Sequence, residues 1–151
     1  MIERAAVERF LEERHIAVVG ASDDDRNFGK TIVRELRKRD YDVVAVNRNA
    51  TSVDGTPCYP DVAALPDDID GVIVMVGRDK AAGVVRECAA RGVKRVWLFK
   101  GLGSPGSVSD DAVQACDTYG IDVVAGACPL MFLEPVGWFH RVHRALARVG
   151  D

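Results

Sequence analysis

Residues 16–33, IAVVGASDDDRNFGKTIV, decide how the rest of the chain is read. An apolar run from Ile16 to Val19 ends at Gly20, gives way to a polar loop, and returns to helical spacing beyond Gly29. Strand, turn and helix in this order open a parallel α/β sheet, and the turn is where such sheets receive anions. Yet the loop holds Asp23, Asp24 and Asp25, which repel an anion at close range. The glycine pattern GxGxxG also fails, because Ser22 and Asp25 stand where its second and third glycines belong. What remains is Gly20 against the strand end, the Ser22 hydroxyl, the cations Arg26 and Lys30, and Gly29 opening the helix. Free N–H groups and a positive dipole end at that helix start favour an anion. The loop is self-consistent if the aspartates lie in water or cap backbone N–H groups while Ser22, Arg26 and Lys30 face a cleft. A polar turn without a ligand is the alternative.

Valine-rich runs recur at 16–19, 43–46, 72–76, 96–99 and 123–125, the pattern of strands buried on both faces. Helical spacing fills 30–39, 80–91 and 108–119, with a leading helix over 3–13 and a trailing one over 136–148. Asp79 reads as a cap for the second of these helices and Gly92 as its end. Ser107 with Asp110 resembles a capping box for the third, which stops at Gly120. The stretch 47–70, with Gly55, Pro57, Pro60 and Pro66, reads as turns around one short helix near 62–65. The alternation predicts a single α/β domain over 1–151: a Rossmann-like, doubly wound, mainly parallel five-stranded sheet with flanking helices.

Ligands of such sheets bind beyond the carboxyl ends of the strands. Those positions hold Gly20 to Ser22, then Asn47 to Asn49, then Gly77 and Arg78, then Lys100 to Gly103, and last Gly126 to Pro129. Glycines there admit close backbone approach, and Arg48, Arg78 and Lys100 supply positive charge.

With 48% apolar and 28% charged residues, the composition is that of an ordinary globular protein, and no apolar run is long enough to span a bilayer. The first fifteen residues mix acids and bases, unlike a secretory signal, so a cytoplasmic location is expected. A net charge of −3 gives no basic surface for nucleic acid. Cys58, Cys88, Cys116 and Cys128 lack metal spacing and are expected as free thiols. Cys88 and Cys116 fall on apolar helix faces, whereas Cys58 and Cys128 fall in loops after strands. His15 starts a strand on the side away from the cleft, and His140 and His143 share one face of the last helix. No catalytic set and no metal site assemble from these residues.

The ordered stretches VVGAS, RNFGK, YDVVAVN, GTPCYPDVAALP, DGVIVMV, VKRVWLFKGLGS and IDVVAGACPLMF resemble the stand-alone CoA-binding domain family. That family is similar to the N-terminal domain of the succinyl-CoA synthetase α subunit. The resemblance spans 16–132. It implies coenzyme A, or an acyl-CoA, across the carboxyl edge of the sheet. Gly20, Ala21 and Ser22 would touch the pyrophosphate region, Arg26 an anionic group, Asn47 and Arg48 the nucleotide, and Val76, Gly77 and Lys100 the remaining wall. Arg48 stands where the family usually has proline, and it suits the 3′-phosphate of CoA. The same arginine suits the 2′-phosphate of NADP, so an NADP-binding oxidoreductase-like domain is the first alternative. An accessory subunit of an acyl-CoA synthetase is the second. Trp138 and Phe139 on the trailing helix either pack on the sheet or form a dimer seam, which leaves a monomer or a weak homodimer.

Overall fold

The computed structural model describes residues 2–101 and 106–134. Valine and isoleucine, stiff at χ1 and suited to a pleated surface, build strands whose successive side chains enter opposite layers. In β1 (His15–Val19), Ile16 and Val18 join Phe10, Ile32, Leu36 and Trp97 on one face. Ala17 and Val19 join Val74, Val85, Cys88 and Cys116 on the other. Helices α1 (Arg4–Glu12) and α2 (Phe28–Arg37) cover the first face. Helices α3 (Arg78–Ala90) and α4 (Asp110–Thr118) cover the second. Gly71 has no Cβ because Phe10 occupies the space, 3.0 Å from where one would stand, and the Phe10 ring meets Trp97 edge-on at 5.4 Å.

The sheet has seven strands, two more than the sequence led us to expect. Parallel strands β2 (Asp42–Val46), β5 (Gly71–Val74), β6 (Arg95–Leu98) and β7 (Asp122–Ala125) surround β1. The two unforeseen strands are β3 (Ser52–Val53) and β4 (Thr56–Tyr59), an antiparallel hairpin whose second strand pairs in parallel with β2. Its turn is Asp54-Gly55, both at positive φ (49° and 76°), the conformation that a two-residue hairpin turn of type I′ requires. The order is β3-β4-β2-β1-β5-β6-β7. Counting only the parallel strands, the chain winds outward in both directions from β1 and β5, as doubly wound sheets do.

Two expected caps are different in the structure. Gly77, not Asp79, precedes α3, and Asp79 lies in its first turn. Ser109 caps α4, its hydroxyl oxygen accepting from the Ala112 N–H at 3.1 Å. Ser107 is buried and instead donates to the Val76 carbonyl. The short helix read near 62–65 is a 3-10 turn over Val62–Ala64. Gly92 and Gly120 follow α3 and α4 at positive φ as expected. The trailing helix expected over 136–148, with Trp138, Phe139, His140 and His143, lies outside the described residues. Among the described residues no helix is long and apolar enough to cross a membrane.

Candidate functional site

Two adjoining cavities, of about 730 and 340 Å³, lie at the carboxyl edge and share Gly20 and Val76. Their size is in the range of cofactor sites. The larger runs between the ends of β1 and β2 and the flank of α3, past Asn47, Arg48, Lys80 and Arg86. The smaller has a more apolar wall, where Phe28 and Phe99 stand 5.6 Å apart, and it also takes in Gly29, Gly77 and Ser107.

The loop after β1 explains its aspartates. Asp24 pairs with Arg26 at 3.2 Å and accepts the Arg26 backbone N–H. Asp23 accepts the Asp54 N–H at 2.9 Å and lies 3.2 Å from Lys30, while Asp25 approaches the same ammonium at 2.9 Å. Asp23 thereby ties the loop to the β3–β4 turn, which Arg34 also grips through Asp54 at 3.2 Å. The Asp54 N–H and Lys30 hold the Asp23 carboxyl below the usual carboxylate range, and Arg26 does the same for Asp24. The Lys30 ammonium is pushed up by Asp25 and Asp23. So Asp23 and Asp24 accept backbone N–H groups, and the three carboxylates together offset both cations of the loop.

Asn27, which sequence reasoning passed over, organises this turn. Its Oδ1 accepts from the N–H groups of Ser22 and Lys30, both at 3.1 Å, and so consumes one donor of the α2 start. Its Nδ2 reaches the Gly20 carbonyl at 3.4 Å. The signal was present, since asparagine directly before a helical run is a preferred N-cap. Gly29 allows α2 to pack on the loop: a Cβ there would stand 2.7 Å from the Ala21 Cα. Gly20, at φ 99°, would place a Cβ 2.6 Å from the Met75 carbonyl oxygen. The neighbouring strand end, and not only a ligand, therefore demands this glycine.

The loop after β5 is arranged differently. Among the described residues Gly77 gives α3 no side-chain cap: the Lys80 and Ala81 N–H groups donate to the Gly77 carbonyl at 2.9 and 3.1 Å, and the Arg78 and Asp79 N–H groups before them meet no side-chain acceptor. Among the described residues Arg48, Lys80 and Arg86 make no ion pair, although Asp61, Asp79, Glu87 and Asp111 share the cavity wall. Lys80 and Arg86 were also missed by sequence reasoning, which inspected strand ends and not the helix beyond. Gly83, one turn along α3 from Lys80, lines the same wall, and a Cβ there would meet nothing within 4 Å.

Of the sequence-predicted residues, Gly20, Asn47, Arg48, Val76 and Gly77 line these cavities. The Asn47 amide donates to the Ala21 carbonyl at 3.0 Å, and its oxygen accepts from the Asn49 N–H. Ala21 is buried beneath the loop, and Ser22 follows it with its backbone bound to Asn27. Arg26 projects outward with its side chain 92% exposed, and Lys30 is folded into its ion pairs at 13%. Lys100 is exposed at the rim, its N–H bound to the Ala127 carbonyl at 3.1 Å. Arg78 is drawn to the loop before α4, its Nε donating to the Val108 carbonyl at 2.9 Å. Burial pushes the Cys88 thiol up to about 12 and the Cys116 thiol up to about 11, so both act as small apolar residues. Cys58 and Cys128 are half-buried, with their thiols raised by burial.

These features define a class: a doubly wound α/β domain whose ligand-sized cleft opens where the winding reverses direction. Within that class the chain belongs to the CoA-binding domain family, whose model matches residues 14–134. It is 31% identical over 127 residues to an ADP-forming acetate–CoA ligase of Archaeoglobus fulgidus, covering 81% of this chain and 18% of that protein. A hypothetical protein from Pyrococcus horikoshii superimposes with a TM-score of 0.77 at 27% identity, over 87% of this chain and 89% of that one. The dinucleotide-forming acetyl-coenzyme A synthetase 1 of Candidatus Korarchaeum cryptofilum aligns with a TM-score of 0.68 at 32% identity, over 80% of this chain and 27% of that one. The chain thus spans under a third of the length of these synthetases.

Proposed function

We propose that the protein holds coenzyme A, or an acyl-CoA, in the carboxyl-edge cleft. The observation that carries this reading is a cavity of nucleotide size in a CoA-binding family domain, lined by Arg48, Lys80 and Arg86. These three make no ion pair among the described residues, even though Asp61, Asp79, Glu87 and Asp111 share the wall. Gly20, Ala21 and Ser22 receive the pyrophosphate from one side and Gly77, at the open start of α3, from the other. Asn47 and Arg48 meet the nucleotide, Val76 forms the floor between the two cavities, and Lys100 closes the rim. Arg26 and Lys30 act at longer range, because Asp23, Asp24 and Asp25 offset their charge.

Binding, rather than autonomous catalysis, is the role proposed. The synthetase relatives support a second reading, in which the domain serves as an accessory part of an ADP-forming acyl-CoA synthetase. A domain that only binds is expected to give no acetyl-CoA from acetate, ATP and CoA on its own.

Calorimetry with CoA and dephospho-CoA tests the assignment. If Arg48 reads the 3′-phosphate, dephospho-CoA binds more weakly by about 1.5–3 kcal/mol, the range of charge-assisted hydrogen bonds. Arg48→Ala then erases most of that difference. Arg26→Ala, which loses only an exposed pair, changes affinity by less than about 1 kcal/mol. Equal affinity for the two ligands removes Arg48 from the site, and tighter binding of NADPH transfers the cleft to the NADP reading.

A further inference from the structure

The amino edge of the sheet, opposite the cleft, carries its own cluster of charge. Most of it is self-balanced. Asp122 is gripped by Arg9 at 2.7 Å and by Arg95 at 2.6 Å, and Glu13 by Arg95 at 2.8 Å. Asp42 and Asp68 differ: among the described residues neither meets an arginine or lysine, and both converge on one imidazole nitrogen. The Nδ1 of His15 lies 3.1 Å from Oδ2 of Asp42 and 3.4 Å from Oδ2 of Asp68. Arg14, next in the chain, is turned away over the Tyr41 ring at 4.7 Å.

We infer that His15, Asp42 and Asp68 form a binding site for a divalent metal cation at the amino edge of the sheet. One ring nitrogen carries at most one proton, so it serves two carboxylates only through a shared and weaker hydrogen bond. A cation placed among the three atoms serves all of them. The two nitrogen–oxygen spacings fit: ligands ~2.1 Å from one ion stand ~3.0 Å apart in an octahedral shell and ~3.4 Å apart in a tetrahedral one. The three ligand atoms all lie within 4.8 Å of one another, and two carboxylates with a neutral imidazole balance a double positive charge. Three separate segments supply the ligands. His15 and Asp42 are direct partners at the starts of β1 and β2, and Asp68 comes from the loop before β5, where the Asp70 N–H binds the His15 carbonyl at 3.0 Å. Asp42 also borders a surface hollow of about 480 Å³, which gives solvent and ions access. One nitrogen with two oxygens suits a borderline ion such as Zn²⁺ or Co²⁺, with water completing the shell.

Co²⁺ titration followed by visible absorption tests the site in the full chain. The native protein is expected to bind Co²⁺, and His15→Gln and Asp68→Asn each weaken binding by at least about tenfold. Zn²⁺ raises the melting temperature of the native protein and not of Asp68→Asn. His140 and His143, three residues apart, could also hold a metal, so the pair is replaced by glutamine in a control that should bind as the native protein does. Circular dichroism checks that each variant is folded, and half-exposed His15 can be replaced without emptying the core. Unchanged Co²⁺ affinity in His15→Gln, loss of binding in the His140/His143 control, or no binding by the native protein at millimolar Co²⁺ overturns the inference.

Discussion

The loops after β1 and β5 enter the same cleft from neighbouring strands and use their charges in different ways. In the first, Asp23, Asp24 and Asp25 are matched to Arg26 and Lys30, and Asn27 caps the helix that follows. In the second, among the described residues, no side chain caps α3, and Lys80 and Arg86 on that helix make no ion pair. The first loop is therefore built mainly for its own shape, and the second leaves electrostatic work undone. That difference teaches how an acidic run can sit in a turn at the carboxyl edge of such a sheet. The acids fix the turn and its link to the β3–β4 hairpin, whereas Arg48, just after β2, and Lys80 and Arg86, on α3, are the cations that the proposed ligand would meet.

Substitutions in each loop can break this contrast. The largest effect is expected at Gly20, where valine meets both a positive φ of 99° and the Met75 carbonyl. Gly20→Val should cost about 3 kcal/mol or more, combining backbone strain and overpacking, and lower the urea midpoint accordingly. An unchanged midpoint would contradict the close approach of β1 and β5.

Asn27→Ala comes next, because it removes the acceptor for two backbone N–H groups at once. The loss of the cap should cost about 1–2 kcal/mol in urea unfolding. A cost near zero would mean that the ion pairs hold the turn without Asn27.

The smallest effect has the opposite sign. Gly83 lies inside α3 with open space beside it, so Gly83→Ala should stabilise the ligand-free protein by about 0.5–1 kcal/mol through helix propensity alone. The same variant should bind CoA more weakly, since the added methyl group enters the cleft wall. Stabilisation without any loss of CoA affinity would place the ligand away from α3.

Much of this organisation was legible in the sequence. The β1, β2, β5, β6 and β7 runs announced themselves because both faces of each strand are apolar, and β6 is flanked by helices with clear periodicity. The hairpin was not read, although Asp54-Gly55 is a strong turn signal. β3 has only two residues, and β4 is no shorter than β5 but carries Pro57 and lacks the valine-rich run of that strand. At the site, strand-end glycines and Arg48 could be found by rule. Lys80, Gly83 and Arg86 could not, because they reach the cleft through the helical turn of α3 and not through position after a strand. Whether Asp24 would face water or Arg26 depended on side-chain pairing across two residues, which periodicity does not encode.

The most direct test of the central claim, that the cleft binds coenzyme A, is the melting temperature of the protein freed of any co-purified ligand, with and without CoA. A ligand that binds only the folded state adds about 2.7 kcal/mol of stability at a hundredfold excess over Kd. In a domain of this size that lifts the melting temperature by several degrees. CoA should produce this rise, NAD should not, and Arg48→Ala should reduce it. A melting curve unmoved by millimolar CoA would contradict the account.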